Sequence, residues 1–376
     1  MAEGFSLKDQ LFNAQKVDYL ARLIEAVDPG FNGARFSKVV VGAFPGLGLM
    51  ERIIHIADTL DRMLPADFHE AVRVVERALP PPLDPDRTDD DFGDLIFAPL
   101  GELMVLRGLE THPGRALEAI EELTQRFSME WAVRPFLNRW PEDTLNRFAA
   151  WAQHPSYHVR RLVSEGSRPR LPWGRKIGID PLAPLPLLDR LHADRTRYVT
   201  RSVANHLNDI AKIAPDVVVA RLRDWRDEGQ QEIKELDWMT RHALRTLVRQ
   251  GHPGALDLLG YGPVAGLRAG IVLAPGPVRI GGALAFTVTL EAQTGGPVLV
   301  DYVLGFHRPG RADGRKVFKL KTGRLAGGRV LRMDKRHKLR GDVTTFRLHP
   351  GPHWLAVQVN GQIAARTEFD LEPSSG

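Results

Sequence analysis

Three carboxylates stand at helical spacing from a recurring arginine, an arrangement suited to stabilising a developing cation. Arg161 is followed four residues later by Glu165, and Arg201 by Asn205, Asn208 and Asp209. On a helix such spacings bring residues to a shared face, so Glu165 is expected beside Arg161 and Asp209 beside Arg201. Glu130, four residues before Arg134, adds a third carboxylate. Two readings are open. The carboxylates orient the arginines as salt bridges, or they stabilise a sugar cation and activate water. The following segment, 164–173, is a stiff loop with two prolines and a glycine that presents Arg168, Arg170 and Trp173 near Glu165. Arginine suits phosphate geometry and tryptophan can pack on a sugar or base. The plainer alternative is a tryptophan that caps the core.

Other chemistries lack their residues. The chain has no cysteine, which removes disulfides, thiol nucleophiles and cysteine-ligated zinc. His154 and His158 have the spacing of a zinc pair, but Pro155 lies between them and no third ligand is evident. Gly46-Leu47-Gly48 is not followed by a phosphate-loop lysine, and there is no Gly-x-Ser-x-Gly elbow. Lys212 could in principle form a Schiff base, yet a phosphate contact or plain exposure fits it better. No metal and no cofactor are expected.

The elements that must position these residues are helices. Apolar residues recur at three- and four-residue spacing in 17–27, 71–79, 117–127 and 202–214. Prolines at 113, 155, 215 and 253 mark boundaries between helices, because proline lacks the amide hydrogen. The stretch 80–94 reads as an exposed loop. His158-Val159-Arg160-Arg161, Tyr198-Val199-Thr200-Arg201 and Trp238-Met239-Thr240-Arg241 repeat every forty residues. Trp131-Ala132-Val133-Arg134 precedes the first by 27. A period of about 40 residues belongs to HEAT-like helix pairs. Equivalent positions of such repeats share a face, so Arg134, Arg161, Arg201 and Arg241 are expected to form one cationic column.

Beyond residue 260 the pattern turns to period two, with strands expected at 284–290, 298–305, 317–321, 330–333, 344–348 and 354–359 and a hairpin at Asn360-Gly361. The fold class is therefore an all-α HEAT-like solenoid, residues 1–262, followed by an all-β immunoglobulin-like sandwich, residues 263–376. The net charge is +5, but 308–340 holds thirteen Lys/Arg and two Asp, a local +11, which leaves −6 elsewhere. So concentrated a charge, including Lys316, Lys319 and Lys321, points to a polyanionic partner. The alternative is a solvated edge that discourages strand pairing. No apolar run approaches the ~18–20 residues that span a bilayer, and the start does not read as a secretory signal.

At these residues the chain resembles the AlkC branch of the AlkC/AlkD family of bacterial DNA alkylation-repair glycosylases. The resemblance rests on 127–136, on 154–173 with its Glu165-Gly166-Ser167-Arg168-Pro169-Arg170-Leu171-Pro172-Trp173 loop, on 201–210, and on Arg241-His242-Ala243-Leu244-Arg245-Thr246-Leu247. The strand-rich end is similar to the immunoglobulin-like domain of one AlkC subgroup. The resemblance implies a cofactor-free monofunctional glycosylase acting on cationic bases such as 3-methyladenine and 3-methylcytosine in duplex DNA, without swinging the base into a pocket. It implies Glu165 and Asp209 at the reaction centre with Glu130 close by, and Trp173 and Trp131 against the lesion. Arg161 and Arg168 would contact DNA around it, and Arg134, Arg170, Arg201, Arg241 and Arg245 extend the expected DNA-binding set. A cytoplasmic, nucleoid-associated monomer without membrane contact is expected. The rival class is a non-catalytic helical-repeat adaptor for nucleic acid or protein.

Overall fold

The computed structural model describes residues 6–87, 89, 92–341 and 347–374. Sixteen α-helices are described between Leu7 and Leu258, and eight strands from Arg268 onward. The chain divides into two compact units, Met1–Ala214 with Asp224–Ala243, and Pro215–Arg223 with Leu244–Gly376. The second unit thus includes the helices Arg245–Gln250 and Pro253–Leu258 as well as the strands. No helix of the described residues is long and apolar enough to cross a membrane.

Helices form where the apolar spacing predicts them: Ala14–Glu25, Phe68–Ala78, Pro113–Thr124 and Arg197–Ile210. Pro113, Pro215 and Pro253 each open a helix, where the missing amide hydrogen costs nothing and the fixed φ suits the first turn. Pro155 lies in the gap between Pro141–Trp151 and Tyr157–Gly166.

The forty-residue period corresponds to a stack. Helix Tyr157–Gly166 packs on Arg197–Ile210, which packs on Ile233–Ala243. Val159, Leu162 and Val163 of the first, Val199, Val203 and Leu207 of the second, and Leu236 and Met239 of the third are buried. Each such side chain contributes about 1.5–3 kcal/mol of burial. The stack therefore fixes the register of the polar residues carried on the same helices.

The strands are β1 (Arg268–Leu273), β2 (Val278–Arg279), β3 (Ala283–Glu291), β4 (Gly296–Phe306), β5 (Gly314–Leu325), β6 (Leu331–Lys338), β7 (Gly351–Val359) and β8 (Gln362–Glu372). They build a sandwich of a three-stranded sheet, β1-β3-β6, and a five-stranded sheet, β2-β8-β7-β4-β5. Leu284, Phe286, Val288 and Leu290 of β3 alternate inward to meet Val298, Val300, Tyr302, Leu304 and Phe306. Asn360-Gly361 turns β7 into β8 with both residues at positive φ, as a two-residue hairpin requires. Of the strand expected at 344–348, residues 344–346 lie outside the described residues, and 347–348 are not in a strand.

Candidate active site

Glu165 lies near the end of helix Tyr157–Gly166, and Asp209 near the end of the adjoining helix Arg197–Ile210. They are only 5% and 3% exposed. Arg168, in the loop after the first helix, joins them. Its Nη1 donates to Glu165 Oε1 at 2.6 Å, while its Nε and Nη2 donate to Asp209 Oδ2 at 3.0 and 2.9 Å. Lys212 Nζ donates to Asp209 Oδ1 at 2.9 Å, and Ser202 Oγ to Glu165 Oε2 at 2.6 Å.

The third carboxylate joins through Arg161. Its Nη1 donates to Glu130 Oε2 at 2.8 Å and to Ser128 Oγ at 2.9 Å, and its Nη2 lies 3.7 Å from Glu165 Oε2. The guanidinium also rests over the Tyr198 ring, 4.5 Å from its centroid. Three cations, Arg161, Arg168 and Lys212, thus meet three carboxylates, Glu130, Glu165 and Asp209. The cluster balances its own charge. Each carboxylate therefore has a counterion beside it.

Burial alone would raise the Glu165 carboxyl, but the Arg161 and Arg168 guanidiniums and the Ser202 hydroxyl outweigh it and hold it below its ordinary range. The carboxylate is therefore ionised at neutral pH. His206 packs under the site, with Nδ1 3.0 Å from the Ser164 carbonyl. Burial, helped by the nearby Arg168 charge, pushes its pKa down to about 4, so the ring is neutral and Nδ1–H donates.

The loop after helix Tyr157–Gly166 carries an exposed aromatic. Trp173 is 68% exposed and holds φ +57°, a conformation that a bulky residue rarely adopts. It meets Trp131 edge to face, with ring centroids 6.5 Å apart. Trp131 Nε1 donates to the Pro172 carbonyl at 3.3 Å, which ties that ring to the same loop. Gly166 lets the helix pack closely at this point, since a Cβ there would come within 2.6 Å of Val133 Cγ1.

The expected arginine column is not uniform, and Arg134 requires correction as a DNA contact. It is 1% exposed and donates to the Gly166 and Arg168 carbonyls at 2.8 and 2.9 Å, and to that of Arg175. Its helix begins at Val133, so the side chain leaves the first turn inward and fastens the loop. Burial, together with the Arg168 charge, lowers its pKa to about 10. Arg201 donates to the Asp89 carbonyl at 3.2 Å. Arg170 and Arg241 are exposed. In the second unit, Arg245 is half-buried, while Lys316, Lys319 and Lys321 are exposed on β5, an edge strand.

Asp209 does not look the way Arg201 does. Eight residues of α-helix leave a rotation of about 80° between them, whereas seven residues align Asp209 with Ser202 to within about 20°. Ser202, His206 and Asp209 therefore make one polar line facing Glu165 and its loop. His154 sits 3.4 Å from Glu121 rather than in a ligand set with His158, whose ring packs on Tyr157. Among the described residues no group of three or more His, Asp or Glu is arranged to hold a metal ion.

Known proteins resemble this chain. Residues 268–373 match the family model described as "Uncharacterised protein YhaZ, C-terminal Ig-like domain". Over 367 residues the chain is 30% identical to the uncharacterized protein YhaZ of Bacillus subtilis (strain 168), covering 96% of this chain and 98% of that one. The solved structure of Pseudomonas fluorescens alkylpurine DNA glycosylase AlkC, bound to DNA containing an abasic site analog, is 31% identical. It superposes with a TM-score of 0.83 over 98% of this chain and 100% of that one. The chain belongs to the AlkC family.

As an AlkC-family chain it has both the helical array and the immunoglobulin-like sandwich. Two residues of the cluster, Ser202 and His206, escaped the sequence reading, and Arg134 was expected there as a DNA contact, not as a buried brace of the loop. The first two carried a usable signal, since polar residues with the i, i+4, i+7 spacing of 202, 206 and 209 share a helix face that must be satisfied internally. Arg134 gave none.

Proposed function

We propose that the chain is a DNA glycosylase of alkylation repair, which hydrolyses the bond between a cationic alkylated base and its sugar in duplex DNA. The observation that carries this reading is the carboxylate pair Glu165 and Asp209, joined through Arg168, in a chain similar end to end to an alkylpurine DNA glycosylase.

A base methylated at N3, such as 3-methyladenine or 3-methylcytosine, already carries positive charge. When the glycosidic bond breaks, its electron pair goes to the base and neutralises it, so no general acid is required. The sugar becomes oxocarbenium-like. One carboxylate stabilises that cation, while the other orients a water and accepts its proton as the oxygen bonds to C1′. Glu130 adds negative potential nearby. The Trp131 and Trp173 rings offer π faces to a cationic lesion. With Trp173 so exposed, the site favours approach to the sugar from a groove over capture of an extruded base. On this reading residues 1–262 carry the chemistry, while the sandwich, 263–376, contacts the DNA backbone through Lys316, Lys319 and Lys321. Arg170, Arg201, Arg241 and Arg245 add positive potential on the helical part.

The test is incubation with duplex DNA carrying 3-methylcytosine, a chelator being present, with chromatography for the free base. Release of 3-methylcytosine and an abasic product is expected. Tight binding without release, for this lesion and for 3-methyladenine, would instead favour the adaptor reading.

A further inference from the structure

An arginine beside a DNA lesion is ordinarily read as a phosphate contact. The surroundings of Arg168 argue otherwise. Three of its N–H groups are already spent on Glu165 and Asp209, at 2.6 to 3.0 Å. Its side chain is 11% exposed. Its main chain is held as well, because its carbonyl accepts from Arg134 Nη1 at 2.9 Å. One N–H remains on each Nη, but turning the guanidinium outward to a phosphate would break three charge-assisted hydrogen bonds and leave two buried carboxylates without their shared counterion.

We propose that Arg168 is a positioning residue that clamps Glu165 and Asp209 in place, and that it does not bind DNA phosphate. The planar guanidinium suits this task. One edge meets Asp209 through Nε and Nη2 while Nη1 addresses Glu165 from the other side, a fork that lysine cannot reproduce. The Arg168 charge, with that of Arg161, also favours the ionised form of Glu165, so losing it moves the pKa of that carboxyl up. With the clamp in place, each has an oxygen that Arg168 does not touch: Oε2 of Glu165, held by Ser202, and Oδ1 of Asp209, held by Lys212. Arg134 fixes the clamp from behind through the loop backbone.

This inference rests on the glycosylase reading, and the experiment separates the two. Single-turnover excision of 3-methylcytosine from a duplex would be measured across pH for the wild type, Arg168→Lys, Arg168→Gln, Glu165→Gln and Asp209→Asn, beside affinity and its salt dependence for abasic-analog duplex. Arg168→Lys keeps a buried cation and so guards against misfolding as an explanation. The expected result is a saturating rate at least roughly tenfold lower in both Arg168 variants, the scale of a lost electrostatic partner. The dissociation constant and salt slope stay near wild type, and the acid limb of the rate profile moves to higher pH. The proposal is overturned if Arg168→Gln weakens affinity and flattens the salt slope by about one phosphate contact while the saturating rate and its pH limb hold. Full activity in Glu165→Gln and Asp209→Asn would remove the carboxylate reading itself, and the clamp with it.

Discussion

Ser202 Oγ donates a 2.6 Å hydrogen bond to Glu165 Oε2 across the interface between two repeat helices. The bond links the register of the helical stack to the direction of a candidate catalytic carboxylate. Ser202→Ala removes a donor to a charged group, a loss of about 1.5–3 kcal/mol. Excision is expected to slow about tenfold, with affinity for undamaged DNA unchanged. Equal loss in rate and affinity would show that Ser202 supports the fold rather than the carboxylate.

Arg134 separates stability from binding. Its guanidinium is buried and donates to main-chain carbonyls of Gly166, Arg168 and Arg175. Arg134→Met should destabilise the protein by about 3 kcal/mol or more, since the carbonyls lose a charged donor. The check is denaturant unfolding beside DNA titration at a temperature where the variant remains folded. A phosphate contact would show the reverse, weak binding with normal stability.

His206 gives a pH dependence with a definite sign. Its pKa falls from 6.5 to about 4 on folding, so the unfolded chain binds the proton more readily. Its contribution is fully present above pH 6.5 and is lost as pH falls toward 4. The loss is on the order of a few kcal/mol at the acid end. Thermal melts from pH 7 to pH 4 should fall steeply in the wild type and more shallowly in His206→Gln, which keeps a polar group but cannot titrate. Parallel curves would count against a buried neutral ring.

The basic strand β5 is tested with the full chain. Lys316, Lys319 and Lys321 are exposed along this edge strand. Replacing all three with glutamine should lower the log–log salt slope of DNA binding by about 0.9 for each phosphate that is no longer neutralised. An unchanged slope would leave these lysines as guards against edge pairing.

Much of this architecture was legible in the sequence because periodicity reports burial directly. The stacking of helices Tyr157–Gly166, Arg197–Ile210 and Ile233–Ala243 follows from the forty-residue repeat, and the turn at Asn360-Gly361 from its residue types. Spacing set Glu165 beside Arg161, but it set Glu130 near Arg134, whereas the Glu130 carboxylate pairs with Arg161. What spacing could not supply was direction to better than a fraction of a turn. It placed Asp209 with Arg201, whereas the helix turns it toward Arg168 and Lys212. Arg134 misled for a related reason. Its copy of the motif stands 27 residues from the next rather than forty, and it opens a helix instead of lying within one. The bridging role of Arg168 depends on a loop path between two helices, which no periodicity encodes.

The central claim is that Glu165 and Asp209 perform chemistry rather than merely brace arginines. It is tested most directly by single-turnover release of 3-methylcytosine from duplex DNA by Glu165→Gln and Asp209→Asn, with affinity for the abasic duplex measured on the same samples. The expected result is a rate lower by roughly a hundredfold or more in each, as for loss of a general base or an electrostatic stabiliser, with affinity within about threefold of wild type. Wild-type release from both variants, or a loss of release matched by an equal loss of affinity, would contradict it.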